Sequence, residues 1–161
     1  MGIILEAKNI LKVYENGVVA NREVGMQVRE NTIHAVVGEN GAGKTTLMKI
    51  IFGIEQAQGG EILFRGEKVN IRSPHDAIRI GIGMVHQHLM LAPDLTVAEN
   101  MVLGNEPRRA KLFLDNDGAG AITREVSRKY GLSVPPDKKI KDLPIGVRQR
   151  VEILKALFRN A

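Results

Sequence analysis

The sequence contains no cysteine, which excludes disulfides and thiolate metal sites and fits a reducing compartment. Its four histidines lack the spacing of zinc ligands. No apolar run approaches the roughly 20 residues of a membrane-spanning helix, and residues Met1 to Leu11 hold no basic region followed by a long apolar one. Internal repeats and low-complexity tracts are absent too. These absences lead to the expectation of a soluble, cytoplasmic chain. The formal charge of +5 and pI near 9.6 would permit a nucleic-acid partner. With aromatics at only 4%, however, the basic residues are scattered and form no aromatic-interleaved stripe, so they read as solvated surface. At 161 residues the chain has the length of about one domain, enough to bury a core.

What is present is organised around Val37 to Leu47, which reads Val-Gly-Glu-Asn-Gly-Ala-Gly-Lys-Thr-Thr-Leu. Gly38, Gly43, Lys44 and Thr45 stand in the register of a phosphate-binding loop, with Gly41 as an additional glycine inside it. The loop lies between an apolar run (Ile33, Ala35, Val36, Val37), expected to be a strand, and a helix-like segment from Leu47 to Ile54. Glycines let successive amide N–H groups turn inward on an anion without an intervening Cβ. A lysine adds a point charge for the outer phosphates, a threonine hydroxyl suits Mg²⁺, and the following helix directs its positive end at the same place. The bland alternative, a glycine-rich turn before an ordinary helix, would match this spacing by chance in roughly one chain of this size in a hundred.

Upstream, Ile3 to Val13 and Gly25 to Glu30 are β-prone runs punctuated by Asn16-Gly17 and Asn31, which predicts an antiparallel layer. Tyr14 stands just before the first turn, and is either a packed strand residue or a ring for a nucleobase. Downstream, Glu61 to Phe64 and Val69 to Ile71 predict a hairpin. Ser73-Pro74 opens a helix with Asp76 in its first turn. Ile82 to Val85 is expected as a short buried strand delivering His86-Gln87-His88 to a loop, where α/β folds place ligand contacts. Thr96 and Glu99 form a capping box for a helix toward Leu103, with a linker from Gly104 to Arg109. Ala119 to Tyr130 is helical by pattern, with Ile122, Val126 and Tyr130 on one face. A loop from Gly131 to Asp142 then precedes a last helix with the stripe Val147, Val151, Leu154, Leu157 and Phe158.

This order of motifs resembles the ATP-binding subunit of an ABC transporter over essentially the whole chain. Gly38-Glu-Asn-Gly-Ala-Gly-Lys-Thr-Thr46 is similar to the family's Walker A motif. Gly83 to Leu91 and Leu95 to Asn100 resemble its Q-loop and the entry to its helical subdomain, and Val151 to Leu157 the helix after its signature sequence. The wording around Gln87 and the Val-Glu-Ile-Leu-Lys-Ala-Leu run look most like importers of simple sugars and nucleosides. In that subfamily two ATP-binding halves often share one chain, and this would be the first.

The resemblance implies an α/β P-loop NTPase fold, an incomplete ABC-type ATP-binding domain. It would divide into an antiparallel β layer (1–31 and 55–72), a P-loop core (32–54, 73–88 and 143–161) and a helical subdomain (89–142). It further implies that Tyr14 stacks on adenine, that Gly38, Glu39, Asn40, Gly41, Ala42, Gly43 and Thr46 cradle the phosphates, and that Lys44 binds the outer two. Thr45 would bind Mg²⁺, while Gln87 would sense Mg²⁺ and the attacking water; a mere polar loop residue is the other reading of Gln87. The implied partners are transmembrane permease subunits, a second ATP-binding domain and, indirectly, a solute-binding protein, at the inner face of the membrane. Nucleic acid is not among them.

Two departures from the family pattern stand out. Where the family has Leu-Ser-Gly-Gly-Gln, this chain reads Leu143-Pro-Ile-Gly-Val147, leaving Gly146, Val147 and the helix start as donors toward a partner's ATP site. The sequence also holds no Asp-Glu pair, which the family uses to orient Mg²⁺ and activate water; Leu112 to Asp115 is a lookalike followed by Asn116. The chain reaches Ala161 where the resemblance would place that strand, which suggests a fragment that binds nucleotide but hydrolyses it poorly. Missing sheet partners would also invite association. Other classes are a small P-loop kinase, with Arg108-Arg109 as its only lid pair, a nucleic-acid-associated ABC protein, and a non-catalytic nucleotide sensor.

Overall fold

The computed structural model describes residues 2–86, 89–109, 113–159 and 161, and the chain divides into two compact units, Met1–Ile82 and Gly83–Ala161.

In the first unit, β1 (Ile3–Val13), β2 (Val19–Arg29), β3 (Gly59–Phe64) and β4 (Glu67–Val69) form an antiparallel sheet in the order β2-β1-β3-β4. The Asn16-Gly17 turn joins β1 to β2, and Asn16 Oδ1 accepts the Val18 amide. Arg65 and Gly66, both at positive φ, form the two-residue turn from β3 to β4. The second hairpin strand ends at Val69, and Ile71 lies beyond it in the core.

Strand β1 carries a bulge. Between Ala7 and Ile10 it advances three residues while β2 advances two, and Asn9 takes φ 51°. The same extra residue appears against β3, between Lys8 and Leu11. Because side chains alternate with period 2, this slip moves Ile10 and Lys12 onto the face held by Ala7 before it. Ala7 and Ile10 are both buried as a result.

Helix α1 (Lys44–Ile51) contributes Leu47, Ile50 and Ile51 to this core, with Phe52, Ile62, Ile71 and Ala77. Helix α2 (Pro74–Arg79) starts at the N-cap Ser73, whose side chain accepts the Asp76 amide, with proline in its first turn.

The second unit is helical, apart from a short pairing of β5 (Arg108–Arg109) with β6 (Phe113–Leu114) at the end of the expected linker. Helix α3 (Val97–Val102) begins with the complete Thr96–Glu99 capping box. Helix α4 (Asn116–Tyr130) starts three residues before the expected Ala119, because Asp115 caps it by accepting the Gly118 amide. That role accounts for Asp115 as a helix cap. Of the expected α4 face, Ile122 and Val126 pack on the core, whereas Tyr130 is exposed and the buried positions are Ala119, Gly120 and Thr123.

The stretch after α4 ends in a 3-10 turn at Ile140–Asp142, and α5 (Ile145–Phe158) follows. Val97, Met101, Val102, Ala119, Val151 and Leu154 form the centre of the core between α3, α4 and α5. Asn100 is fully buried among them with its amide satisfied: its oxygen accepts from Ala92 N, and its nitrogen donates to the Ala92 and Thr96 carbonyls.

Two expected strands do not form. Residues 33–37 have no strand pairing, and Ile33 and Val37 stand 101% and 91% exposed. Residues 82–85 likewise form no strand, and Val85 is exposed. A strand needs a neighbour to bond its amides and carbonyls, and none of the described strands pairs with either run.

Candidate phosphate-binding site

The loop from Gly38 to Gly43 leads straight into α1. Gly41 has φ 86° and Gly43 φ 81°, a left-handed conformation that side chains resist. At Gly43 the requirement is also steric: a Cβ there would lie 2.1 Å from the Ala20 carbonyl oxygen. Asn21, buried on β2, donates from Nδ2 to the Gly43 carbonyl at 3.3 Å, so the sheet holds the loop at the N-cap of α1.

Lys44 arches back over the loop. Its Nζ donates to the Gly38 carbonyl at 2.6 Å and to the Glu39 carbonyl at 2.8 Å. The ammonium therefore spans the loop it follows, where it holds the backbone curved and presents positive charge. Among residues 38–43, the amide of Ala42 alone is bonded to another backbone group, the Glu39 carbonyl at 3.2 Å. The amides of Lys44, Thr45 and Thr46 belong to the first turn of α1, which leaves them without intrahelical acceptors. The first amide bonded within the turn is that of Leu47, to the Gly43 carbonyl. No acidic side chain stands in this first turn. The arrangement is a row of free N–H donors, one ammonium and the positive end of a helix, a donor set that fits a polyphosphate.

Tyr14 follows the end of β1, and its hydroxyl lies 3.3 Å from Thr46 Oγ1, which ties the ring to the helix that opens at the loop. Lys12 Nζ stands 5.2 Å from the centroid of that ring. Gly38, Glu39, Asn40, Gly41, Ala42, Gly43, Lys44, Thr45, Thr46 and Tyr14 thus all lie in the first unit, around the loop and the start of α1. Gln87 and His88 lie outside the described residues. Gly146 is exposed in the first turn of α5, in the second unit, with open space where a Cβ would stand. Pro144 is the N-cap of α5 and contributes no side-chain bond; its carbonyl accepts from Val147 and Arg148, and Ile145 is exposed.

The motif does not single out Lys12 and Asn21. For Lys12 the sequence carries no signal, because its place beside Tyr14 depends on the β1 bulge; for Asn21 the signal is a polar residue directly after the apolar Val18-Val19-Ala20 run. Among the described residues, no group of three or more acidic or histidine side chains could hold a metal ion without a ligand's help.

The loop precedes a helix and is held against an antiparallel sheet, and a family model described as ABC transporter matches residues 21–161. The chain belongs to that family. It is 48% identical to the guanosine import ATP-binding protein NupO of Bacillus subtilis over 161 residues, all of this chain and 31% of the relative. It is 49% identical over 143 residues to the nucleoside import ATP-binding protein NupA of Lactococcus lactis, covering 89% of this chain and 28% of the relative. The chain thus spans about a third of the length of these relatives. Among solved structures, a nucleotide-free ATP-binding cassette from an ABC transporter superposes with TM-score 0.83 at 25% identity, covering 99% of this chain and 66% of that one.

Proposed function

We propose that this chain is the nucleotide-binding part of an import ATPase, which converts ATP binding and hydrolysis into uptake of a nucleoside or simple sugar. The observation that carries the reading is the Lys44 ammonium clasped by the Gly38 and Glu39 carbonyls beside the free amides of the loop. Relatives named as guanosine and nucleoside importers, at 48% and 49% identity, and ribose or galactose importers, at 44%, support it. Membrane permease subunits, a second ATP-binding domain and a solute-binding protein are the partners this reading requires, at the cytoplasmic face of the membrane. Among the described residues, no helix is long and apolar enough to cross a membrane itself.

In this reading Tyr14 stacks on the adenine, and the amides from Gly38 to Thr46 hold the phosphate oxygens. Lys44 lies against the outer two phosphates, where its charge offsets what builds up on the leaving oxygen. Thr45 and Gln87 would hold Mg²⁺, which would supply positive charge to offset the negative charge of the nucleotide's phosphates. Gly146 and the start of α5 offer donors to the nucleotide of a partner domain, with Pro144 and Ile145 supplying no hydroxyl or glycine amide there. The division into β layer (1–31 and 55–72), P-loop core (32–54, 73–88 and 143–161) and helical subdomain (89–142) belongs to the same proposal.

Isothermal titration of the chain with Mg–ATP tests it. Saturable binding is expected, and Lys44→Ala should weaken it at least tenfold, given about 1.5–3 kcal/mol for each charge-assisted hydrogen bond. Equal affinity in the two proteins would overturn the reading.

A further inference from the structure

Lys12 is unusually enclosed for a lysine at the end of a surface strand. Its side chain is 12% exposed, and Nζ meets three partners: Glu55 Oε2 at 3.0 Å, the Gln56 carbonyl at 2.9 Å and the Tyr14 ring at 5.2 Å from the centroid. The β1 bulge makes this possible, since it places Lys12 on the buried face of the strand. Gln58 fixes the strand end beside it by bonding both the amide and the carbonyl of Val13. An open cleft lined by Lys12, Tyr14, Glu15, Asn16 and Gln58 lies next to the ring.

We infer that Lys12 is a positioning residue for nucleobase recognition: seated on the Tyr14 ring by Glu55 and the Gln56 carbonyl, it holds and polarises the ring on which the base stacks. This rests on the stacking role proposed for Tyr14 above. A partly exposed tyrosine has two freely turning torsions, and stacking against a ring that must first be immobilised is weaker than against one already held. Here the ring is held at both ends, by the ammonium near its face and by Thr46 Oγ1 at its hydroxyl. A cation at one face also draws electron density from the ring, which strengthens stacking of an electron-rich purine. The partners of the Lys12 ammonium are Glu55, the Gln56 carbonyl and the Tyr14 ring, none of them in the 38–46 loop, so its effect should be confined to the base.

Equilibrium binding of Mg–ATP and of Mg–tripolyphosphate to the full 161-residue chain separates the two ends of the ligand. Lys12→Met should weaken ATP about fivefold and leave tripolyphosphate unchanged, and Lys12→Arg, which keeps a cation over the ring, should restore ATP binding. In a Tyr14→Leu background, Lys12→Met should have no further effect on ATP. Unchanged or tighter ATP binding by Lys12→Met would overturn the inference, as would an equal loss for both ligands, which marks a general structural role. If the unsubstituted chain binds tripolyphosphate as tightly as ATP, the stacking role of Tyr14 falls and this inference with it.

Discussion

A single hydrogen would decide much at Gly43. The residue sits at φ 81° with the Ala20 carbonyl against its α-carbon, so Gly43→Ala adds a methyl to backbone that cannot recede and imposes a conformation alanine resists. We expect this substitution to abolish Mg–ATP binding and lower the melting temperature. Gly41→Ala, at similar φ but with open space around it, should retain more of both. Paired thermal melts and titrations check the ordering. Asp76 provides a pH-dependent counterpart. Its carboxylate accepts from Ser73 Oγ and from the Arg72 amide, and these bonds hold it below the ordinary aspartate range. A carboxyl depressed in the fold binds fewer protons there than in the unfolded chain, so its stabilisation is present above the ordinary range and is lost as the pH falls below about 4. The difference in melting temperature between the chain and Asp76→Asn should therefore be present at pH 7 and shrink toward zero on acidification.

The elements were legible wherever local chemistry decides them. Thr96 and Glu99 announce a helix start in any surroundings because both bonds of the capping box are made within four residues, and the same holds for Ser73-Pro74. Asp115 was legible as no more than a lookalike for a metal-binding aspartate, and the structure gives it a cap to serve. The runs 33–37 and 82–85 failed as strands because an apolar run needs a neighbour that no local signal supplies. The β1 bulge was invisible for a similar reason: its extra residue matters only against β2 and β3, so the sequence could point to Tyr14 without pointing to Lys12. In the helical unit, Leu154→Ala should cost about 2–5 kcal/mol, because Leu154 is completely buried between helices. Thr96→Ala should cost about 1 kcal/mol through loss of the cap. Denaturant titrations of the two variants should preserve that order.

At the scale of the molecule, a loop whose donors fit a polyphosphate is built on a sheet whose helix and β layer are in place, beside an apolar run without strand partners. The sequence has no Asp-Glu pair to orient a metal and activate water, and general-base catalysis contributes about 10²–10⁴ in rate. The chain should accordingly bind Mg–ATP yet turn it over at least about a hundredfold more slowly than a transporter ATPase that carries such a pair, as a phosphate-release assay would register. Exposed Ile33 and Val37 should drive association at high concentration, and light scattering that reports a monomer throughout would count against this. The most direct measurement of the central claim is an amide-resolved NMR titration with Mg–tripolyphosphate, which has no base to bind elsewhere. Large shifts concentrated at the amides of residues 39–46, and lost in Lys44→Ala, are the predicted result. Unmoved loop amides at saturating ligand, or shifts that persist without Lys44, would contradict the account.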